Sequence, residues 1–253
     1  MTTEPRSDLC RYTTDAVYYR GNNLVRDLIG KASFVDVFFR QAFGRDLGER
    51  ERRIVDAVLV TMMEHGLTPS AIAARMVYSS SPENIQAAVA AGILAVGSRF
   101  VGAMEEAAVL LQRIVEADDP LAEAKRVAKD HRERKEVVPG FGHHLHKPDD
   151  PRATALLELA RETSTADRFA QALRLLAAEV DAAAKRHITI NATGAVAAIL
   201  GDIGVPPRLM RGFAVLSRTA GLLAHIAEEQ SDPAYRLIWD LGSDHYQAPK
   251  DIR

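Results

Sequence analysis

The stretch VPGFGHHLHKPDDPR, residues 138–152, carries more information about fold and function than any other part of this chain. Its two glycines free the backbone to turn sharply and to approach a ligand closely. His143 follows them and can exchange a proton near neutral pH. Asp150 and Pro151 predict a helix start, with Asp150 as N-cap and Pro151 in the first helical position. A histidine and Arg152 in one loop suit a substrate that carries a carboxylate and a hydroxyl or carbonyl group.

Composition narrows the class of protein. The 253 residues can build a large core as one domain or two, and 32 basic against 34 acidic residues argue against a nucleic-acid-binding surface. One cysteine, Cys10, excludes an intramolecular disulfide and fits a reducing cytosol. Residues 1–8 do not resemble a signal peptide, and the longest apolar run, Ala87 to Gly97, is shorter than the roughly 20 residues that span a bilayer. We expect a soluble cytoplasmic protein without a membrane or nucleic-acid partner.

Apolar residues recur with helical spacing along most of the chain, and strand-like alternation is almost absent. The clearest apolar stripes are Ala107, Leu110, Leu111, Ile114 and Val115; Phe169, Leu173, Leu176 and Val180; and Leu209, Phe213, Leu216, Ala220 and Leu223. Helix starts are predicted at Ser81-Pro82, Asp119-Pro120 and Asp150-Pro151. Residues 54–63 and 87–96 are apolar nearly all round, which is typical of a central core helix or an obligate subunit interface. The fold class predicted is all-α.

Residues 138–152 resemble the PG[YF]GH…DPR signature of the citrate synthase family. Four further segments are similar to segments of that family: Tyr19-Arg20-Gly21, residues 32–37 (ASFVDV), residues 56–70 with Glu64-His65-Gly66, and residues 217–225 (SRTAGLLAH). The resemblance extends over about residues 18 to 235. The length of the chain and the sequence of residues 59–70 are most similar to those of the compact citryl-CoA lyase-like branch.

The resemblance implies a citrate-synthase-like fold with two helical domains. Residues 1–110 and 213–253 would form the large domain, and residues 111–212 would form a smaller domain inserted into it. The cleft between the domains would close over the substrate, with Arg218 on one wall and His143 and Arg152 on the other. The resemblance also implies a homodimer.

The family makes or breaks a carbon–carbon bond beside a CoA thioester, and the resemblance implies roles for four residues. His143 matches the histidine that serves the hydroxyl or carbonyl of the oxo-acid, and in the cleavage direction it would take the hydroxyl proton. Arg152 and Arg218 match arginines that bind carboxylates of the oxo-acid. His65 matches a histidine that contacts the oxo-acid, although a buried structural histidine is an alternative for this position.

Coenzyme A, as part of an acyl-CoA substrate or product, is the implied ligand of a second group of residues. The resemblance implies that the glycine loop receives its adenine and that two basic side chains bind phosphates; these residues are Val138, Gly140, Phe141, Gly142, Lys147 and Arg186. His143, His144 and His146 are spaced HHxH, but three ligands crowded into four loop residues are a weak zinc signal. No metal is expected, and one or both of His144 and His146 are predicted to face solvent.

Three family segments are altered in this chain. Phe100 stands where a histidine donates to the thioester carbonyl, and Thr193 stands where an aspartate acts as the base at the α-carbon. A segment with a further carboxylate-binding arginine is replaced by residues 237–240 (LIWD). Phe100 cannot donate a hydrogen bond, and Thr193 is not a base at neutral pH. Phe100 and Trp239 predict a more apolar pocket and a substrate with fewer carboxylates than citryl-CoA.

These observations predict a lyase that cleaves a β-hydroxyacyl-CoA into an acyl-CoA and an oxo-acid. The motivation is that His143, Arg152 and Arg218 are all present. The first alternative is a catalytically impaired pseudoenzyme that binds acyl-CoA, as the residues at positions 100 and 193 suggest. The second alternative is an acyl-CoA thioester hydrolase with His143 as the base.

Overall fold

The computed structural model describes residues 7–97, 102–163 and 167–246, and most of these lie in helices. The helices are α1 (Phe34–Phe43), α2 (Glu49–Met63), α3 (Pro69–Ser80), α4 (Ile85–Leu94), α5 (Ala103–Glu116), α6 (Pro120–Arg134), α7 (Pro151–Thr163), α8 (Arg168–Ala184), α9 (Ala192–Asp202), α10 (Pro207–Ser231) and α11 (Tyr235–His245). The all-α prediction is confirmed. None of these helices is both long enough and apolar enough to cross a membrane, as far as the described residues go.

A small antiparallel sheet near the N-terminus was not predicted. Its strands are β1 (Cys10–Tyr12), β2 (Val17–Tyr19) and β3 (Asn22–Asn23), in the order β1-β2-β3. Arg20 and Gly21 join β2 to β3 with φ values of +43° and +84°. Left-handed backbone at both positions gives the tight turn that matches the twist of a hairpin. The strands are too short and too exposed to produce a visible alternation in the sequence.

Helix α9 lies at the centre of the core, packed against α5, α7, α8 and α10. Every residue from Gly194 to Gly201 is buried, because small and apolar side chains follow one another without a polar face. The predicted stripe on α5 is confirmed, with Ala107, Leu110, Leu111 and Ile114 buried, and so are Leu173, Leu176 and Val180 on α8. The sequence analysis did not single out α9, whose short length concealed its central position.

The apolar stripe predicted on α10 is confirmed only in part, because Phe213 is buried and Leu216 packs against the core. Leu209, Ala220 and Leu223 are exposed, whereas the buried face carries Met210, Phe213, Ala214, Ser217, Arg218, Gly221, Leu222, His225 and Ile226. The helix is rotated relative to the prediction because two polar side chains, Arg218 and His225, are buried and paired. Packing therefore places an arginine and a histidine inside the protein, and these side chains need partners there.

One prediction about α4 needs correction. The helix begins after Asn84, whose side chain accepts a hydrogen bond from Ala87 N–H, and not at Ser81-Pro82. Only Ala88 and Gly92 are buried on it, and Leu94 is 86% exposed, so of the two interpretations of residues 87–96 the central core helix does not apply and the subunit interface stays a prediction. The starts predicted at Asp119-Pro120 and Asp150-Pro151 are confirmed as those of α6 and α7. The division into a large and a small domain stays a prediction.

Candidate active site

The loop between α6 and α7 is pinned to the segment that leads into α9. Gly142 N–H donates to Thr189 O at 2.7 Å, and Asn191 N–H donates to Gly140 O at 3.1 Å. Gly140 has a φ of +90°, and a Cβ on Gly194 would lie 2.5 Å from the Gly140 carbonyl oxygen. Two glycines are thus required so that two backbones can meet. Gly140, expected to contact coenzyme A, is buried in this packing and holds the loop in place.

His143 presents one ring nitrogen to the loop and the other to the cleft. Its Nδ1 accepts hydrogen bonds from the backbone N–H groups of Leu145 (3.1 Å) and His146 (2.9 Å). Its Nε2 lies 3.3 Å from Nη2 of Arg152, and a guanidinium nitrogen can only donate, so both ring nitrogens of His143 face hydrogen-bond donors. Burial, together with His146 and Arg152, lowers the pKa of His143. The role of His143 toward a substrate hydroxyl stays a prediction.

Arg152 is oriented by Asp150, which is two residues away and completely buried. The Nε and Nη2 atoms of Arg152 donate to the two carboxylate oxygens at 3.0 and 2.8 Å. Asp150 also accepts the backbone N–H groups of Arg152 and Ala192, so it caps α7 as predicted. Burial raises the pKa of Asp150, but Arg152 and these N–H groups outweigh it and lower the pKa to about 2. The Nη1 atom of Arg152 has no hydrogen-bond partner among the described residues and is left for a ligand.

Arg218 is almost fully buried and is already engaged by the protein. Its Nε donates to Ser70 Oγ at 3.0 Å, and its Nη2 donates to Thr68 Oγ1 at 2.8 Å. Its Nη1 donates to Met63 O at 3.1 Å and to Glu64 Oε2 at 2.9 Å. The anion that an arginine needs at such a site is therefore supplied by Glu64. The expected role of Arg218 toward a carboxylate of the substrate stays a prediction.

Glu64 is held from behind by a chain of buried charged groups. His225 Nε2 lies 3.0 Å from Glu64 Oε2, and His225 Nδ1 accepts from Arg75 Nε at 3.1 Å. Arg75 is in turn paired with Glu229 at 2.6 Å and with Glu228. Because Nδ1 of His225 is an acceptor, its Nε2 carries the proton and donates to Glu64.

Four histidines lie close to one another at the mouth of this site. The His65 ring centroid is 6.0 Å from that of His143, and the rings of His144 and His146 stack on His143 at 4.7 and 4.4 Å. Burial lowers the pKa of His65, and Arg152 and the neighbouring histidines lower it further. Within the described part of the chain, no group of three or more His, Cys, Asp or Glu side chains is arranged to hold a metal ion. The role of His65 toward an oxo-acid stays a prediction.

A cleft of about 350 Å³ brings together His65, His143, Arg152 and Arg218. Thr193 lies in the first turn of α9 and lines the same cleft, so it is placed where the resemblance expects a base. Glu64 is the one carboxylate among the described residues that line it.

The two apolar residues expected in the pocket have different outcomes. Phe100 lies outside the described residues. Trp239 is 63% exposed on α11 and does not line the cleft.

A second cavity of about 460 Å³ adjoins the cleft and has a basic wall. Five of the six residues predicted to contact coenzyme A line it, namely Val138, Phe141, Gly142, Lys147 and Arg186. Arg132 and His187 add two cationic or potentially cationic side chains. Gly142 and His143 line both cavities, so the two spaces meet at these residues.

His187 joins two segments at the rim of the second cavity. Its Nδ1 lies 2.8 Å from Asp181 Oδ2 and its Nε2 lies 3.1 Å from Asp149 Oδ1. These two carboxylates raise the pKa of His187. The side chain ties the end of α8 to the loop that precedes Asp150.

Two contributors to the site were not predicted from the sequence. Asp150 was identified only as a helix cap, although its position two residues before Arg152 was a signal that it could pair with that guanidinium. Arg75 was not identified at all, because its partners Glu229 and His225 are some 150 residues away in the sequence.

Comparison with known proteins places this geometry in a family. Citryl-CoA lyase from Hydrogenobacter thermophilus is 31% identical, with a TM-score of 0.88 over 99% of this chain and 97% of that one. ATP citrate lyase from Methanothrix soehngenii, solved with citrate and coenzyme A, is 21% identical and shares the fold, with a TM-score of 0.79 over 99% of this chain and 41% of that one. Citrate synthase from Heyndrickxia coagulans is 26% identical over 77% of this chain and 52% of its own length. The chain spans about half the length of the curated relatives it matches.

The family model described as "Citrate synthase, C-terminal domain" matches residues 11–238. This range includes His65, the loop from Val138 to Arg152, and Arg218. The chain therefore belongs to the citrate synthase family.

Proposed function

We propose that the protein is a carbon–carbon lyase that cleaves a β-hydroxyacyl-CoA into an acyl-CoA and an oxo-acid. The observation that carries the proposal is that a basic cavity and a cleft containing His143 and Arg152 meet at Gly142 and His143. A thioester of coenzyme A has a phosphate-bearing carrier at one end and a reacting acyl group at the other. Two adjoining cavities of these two kinds suit such a molecule.

The carrier would occupy the second cavity. Lys147 and Arg186 supply positive charge for phosphates, while Val138 and Phe141 supply apolar surface. Gly142 N–H already donates to Thr189 O, so it is not available as a donor to the ligand. Gly142 would instead contact the ligand through its Cα. Gly140 would act by shaping the loop.

The oxo-acid would form in the cleft. Arg152 would bind its carboxylate through the free Nη1 atom, and His65 would line its binding site. His143 would take the proton of the β-hydroxyl at Nε2. The β-oxygen then forms the carbonyl of the oxo-acid, while the electron pair of the breaking carbon–carbon bond passes to the thioester enolate, whose α-carbon takes up a proton from water.

Turnover of a panel of thioesters tests the proposal. Citryl-CoA and simpler β-hydroxyacyl-CoA esters would be incubated with the full chain, and the acyl-CoA and oxo-acid products would be identified by mass spectrometry. We expect at least one ester to be cleaved, with no loss of activity after treatment with a metal chelator. Absence of product from every ester would overturn the proposal.

A binding protein without turnover is the second candidate, and Thr193 favours it. Thr193 lines the cleft where the family resemblance expects a base, and the one carboxylate on the described wall, Glu64, is occupied by Arg218 and His225. Restoring the residues that the resemblance expects, Phe100→His with Thr193→Asp, separates the candidates. Citryl-CoA cleavage gained by a parent that turns over no ester would favour the binding protein, whereas loss of an existing activity would favour the lyase.

We also propose that the chain acts as a homodimer. Val60 on α2 and Leu94 on α4 are 62% and 86% exposed, and both lie in spans whose composition predicts an interface. Light scattering at micromolar concentration tests this, and a monodisperse monomer would contradict it.

A further inference from the structure

We infer that the cleft accepts an oxo-acid with a single carboxylate and selects against a second one, because Glu64 already occupies Arg218. The inference rests on the proposed function for the identity of the ligand as an oxo-acid. It concerns which oxo-acid binds, and it follows from the hydrogen bonds of the two arginines in the cleft.

Arg218 has almost no donor capacity left. A guanidinium offers five N–H donors, and four of those on Arg218 are directed at Ser70, Met63 O, Glu64 and Thr68. Its positive charge is balanced by Glu64 at 2.9 Å. An incoming carboxylate would therefore find one donor and a neutralised pair, in place of a free cation.

Glu64 remains ionised at the cleft wall. Its Oε1 accepts the backbone N–H groups of His65 (2.8 Å) and Gly66 (2.5 Å), and its Oε2 accepts from Arg218. Burial raises the pKa of Glu64, but Arg218, His225 and these hydrogen bonds outweigh burial and lower the pKa below its ordinary value. A substrate carboxylate beside it would face a like charge, which is unfavourable in a partly desolvated site.

The groups behind Glu64 make it costly to displace. His225 donates to Glu64 and is fixed by Arg75, which is 2% exposed and paired with Glu229. If Glu64 turned away, the buried His225 N–H would lose its acceptor and Arg218 would lose its counter-charge. Each loss carries a desolvation penalty that the new ligand would have to offset.

Arg152, unlike Arg218, has a guanidinium nitrogen without a partner among the described residues. Asp150 occupies its Nε and Nη2 atoms, yet Nη1 has no partner among the described residues, and the side chain is 28% exposed toward solvent. One arginine nitrogen is thus prepared for a ligand, which suits one carboxylate.

Calorimetric titration of the full chain with two acids of equal carbon count tests the inference. The probes are 2-oxobutyrate and freshly dissolved oxaloacetate, whose chains end in a methyl group and in a second carboxylate. We expect 2-oxobutyrate to bind about tenfold or more tightly than oxaloacetate, as one unfavourable charge contact implies. Equal or tighter binding of oxaloacetate, or binding of neither acid, would overturn the inference.

The Glu64→Gln variant should shift the ratio of the two dissociation constants in a direction that loss of structure would not produce. The amide keeps an acceptor oxygen but frees the charge of Arg218, so the ratio of the two dissociation constants should shift toward oxaloacetate by about tenfold. Glu106→Gln removes a charge from the exposed face of α5, outside the cleft, and should leave the ratio unchanged. An unchanged ratio in a folded Glu64→Gln variant would overturn the inference. If that variant does not fold, the ratio in the parent chain decides.

The turnover panel separates this inference from the proposed function. If the chain cleaves β-hydroxyacyl-CoA esters but binds oxaloacetate more tightly, the proposed function is supported and the inference about carboxylate number is contradicted. If the chain binds 2-oxobutyrate more tightly but cleaves no ester, the inference is supported and the proposed lyase activity is contradicted.

Discussion

The carboxylate of Asp150 holds the guanidinium of Arg152 through both of its oxygens, at 3.0 and 2.8 Å, while being itself completely buried. This pair fixes the one arginine nitrogen in the cleft that is left for a ligand. The orientation of Arg152 is therefore decided by a residue that never meets the substrate.

Asp150→Asn should destabilise the fold at neutral pH and weaken oxo-acid binding. The pKa of Asp150 falls from 3.8 to about 2 on folding. A lowered pKa contributes stability above the unfolded value of 3.8, and that stability is lost as the pH falls through about 2. The variant should thus lose about 2 kcal/mol of unfolding free energy at pH 7, and the difference from the parent should shrink between about pH 4 and pH 2.

Urea unfolding at a series of pH values measures this difference. Asp149→Asn is the matched control, because Asp149 is exposed and should change stability little. A difference that does not depend on pH would show that the ion pair is not its origin.

His143→Ala should lower turnover by about 10²–10⁴, the usual cost of removing a general base. The lowered pKa of His143 also predicts that the neutral ring, which can take a proton, persists below its ordinary value of 6.5. The acid limb of the pH–rate profile should therefore lie below pH 6.5, and it should vanish in the alanine variant. An acid limb above that pH would contradict the role of His143 as the base.

Gly194→Ala should destabilise the protein and weaken ligand binding in both cavities. The added Cβ would lie 2.5 Å from Gly140 O and 3.0 Å from Gly140 Cα, so the loop backbone must shift. Overpacking of this kind typically costs about 1–3 kcal/mol. Gly212→Ala is the control: it meets nothing within 4 Å on α10, and the higher helix propensity of alanine should stabilise the fold slightly. Thermal unfolding of the two variants should therefore shift in opposite directions.

Removing the charges of Lys147 and Arg186 together should weaken CoA binding and flatten its dependence on salt. Both side chains line the second cavity, and contacts between exposed charges are screened by ions. Arg174→Ala is a matched control, since Arg174 also lies on α8 but pairs with Asp167 outside this cavity. Unchanged CoA affinity in the double variant would place the nucleotide elsewhere.

Local sequence patterns predicted the fold class and several helices. The spacing of apolar residues within a segment is enough to indicate a helix. The stripes on α5 and α8 and the starts of α6 and α7 depend on neighbouring residues and were correct. The loop from Val138 to Arg152 was identified because its residue types are dense and uncommon.

Apolar spacing predicted only part of the buried face of α10, namely Phe213. Arg218 and His225 are polar, and their burial depends on Glu64 and Arg75, which come from distant parts of the chain. A pairing between segments about 150 residues apart leaves no periodic signal, so Glu64 and Arg75 could not be predicted as partners.

Gly142 and His143 are the only described residues shared by the walls of the two cavities. The rest of the cleft wall comes from several helices and loops, including α7 with Arg152, and none of these other described residues lines the basic cavity. Substitutions of those wall residues would change the acid that the cleft accepts while leaving unchanged the lining of the cavity proposed for the carrier. Such an arrangement would let a lineage change its chemistry stepwise without passing through a form that binds nothing.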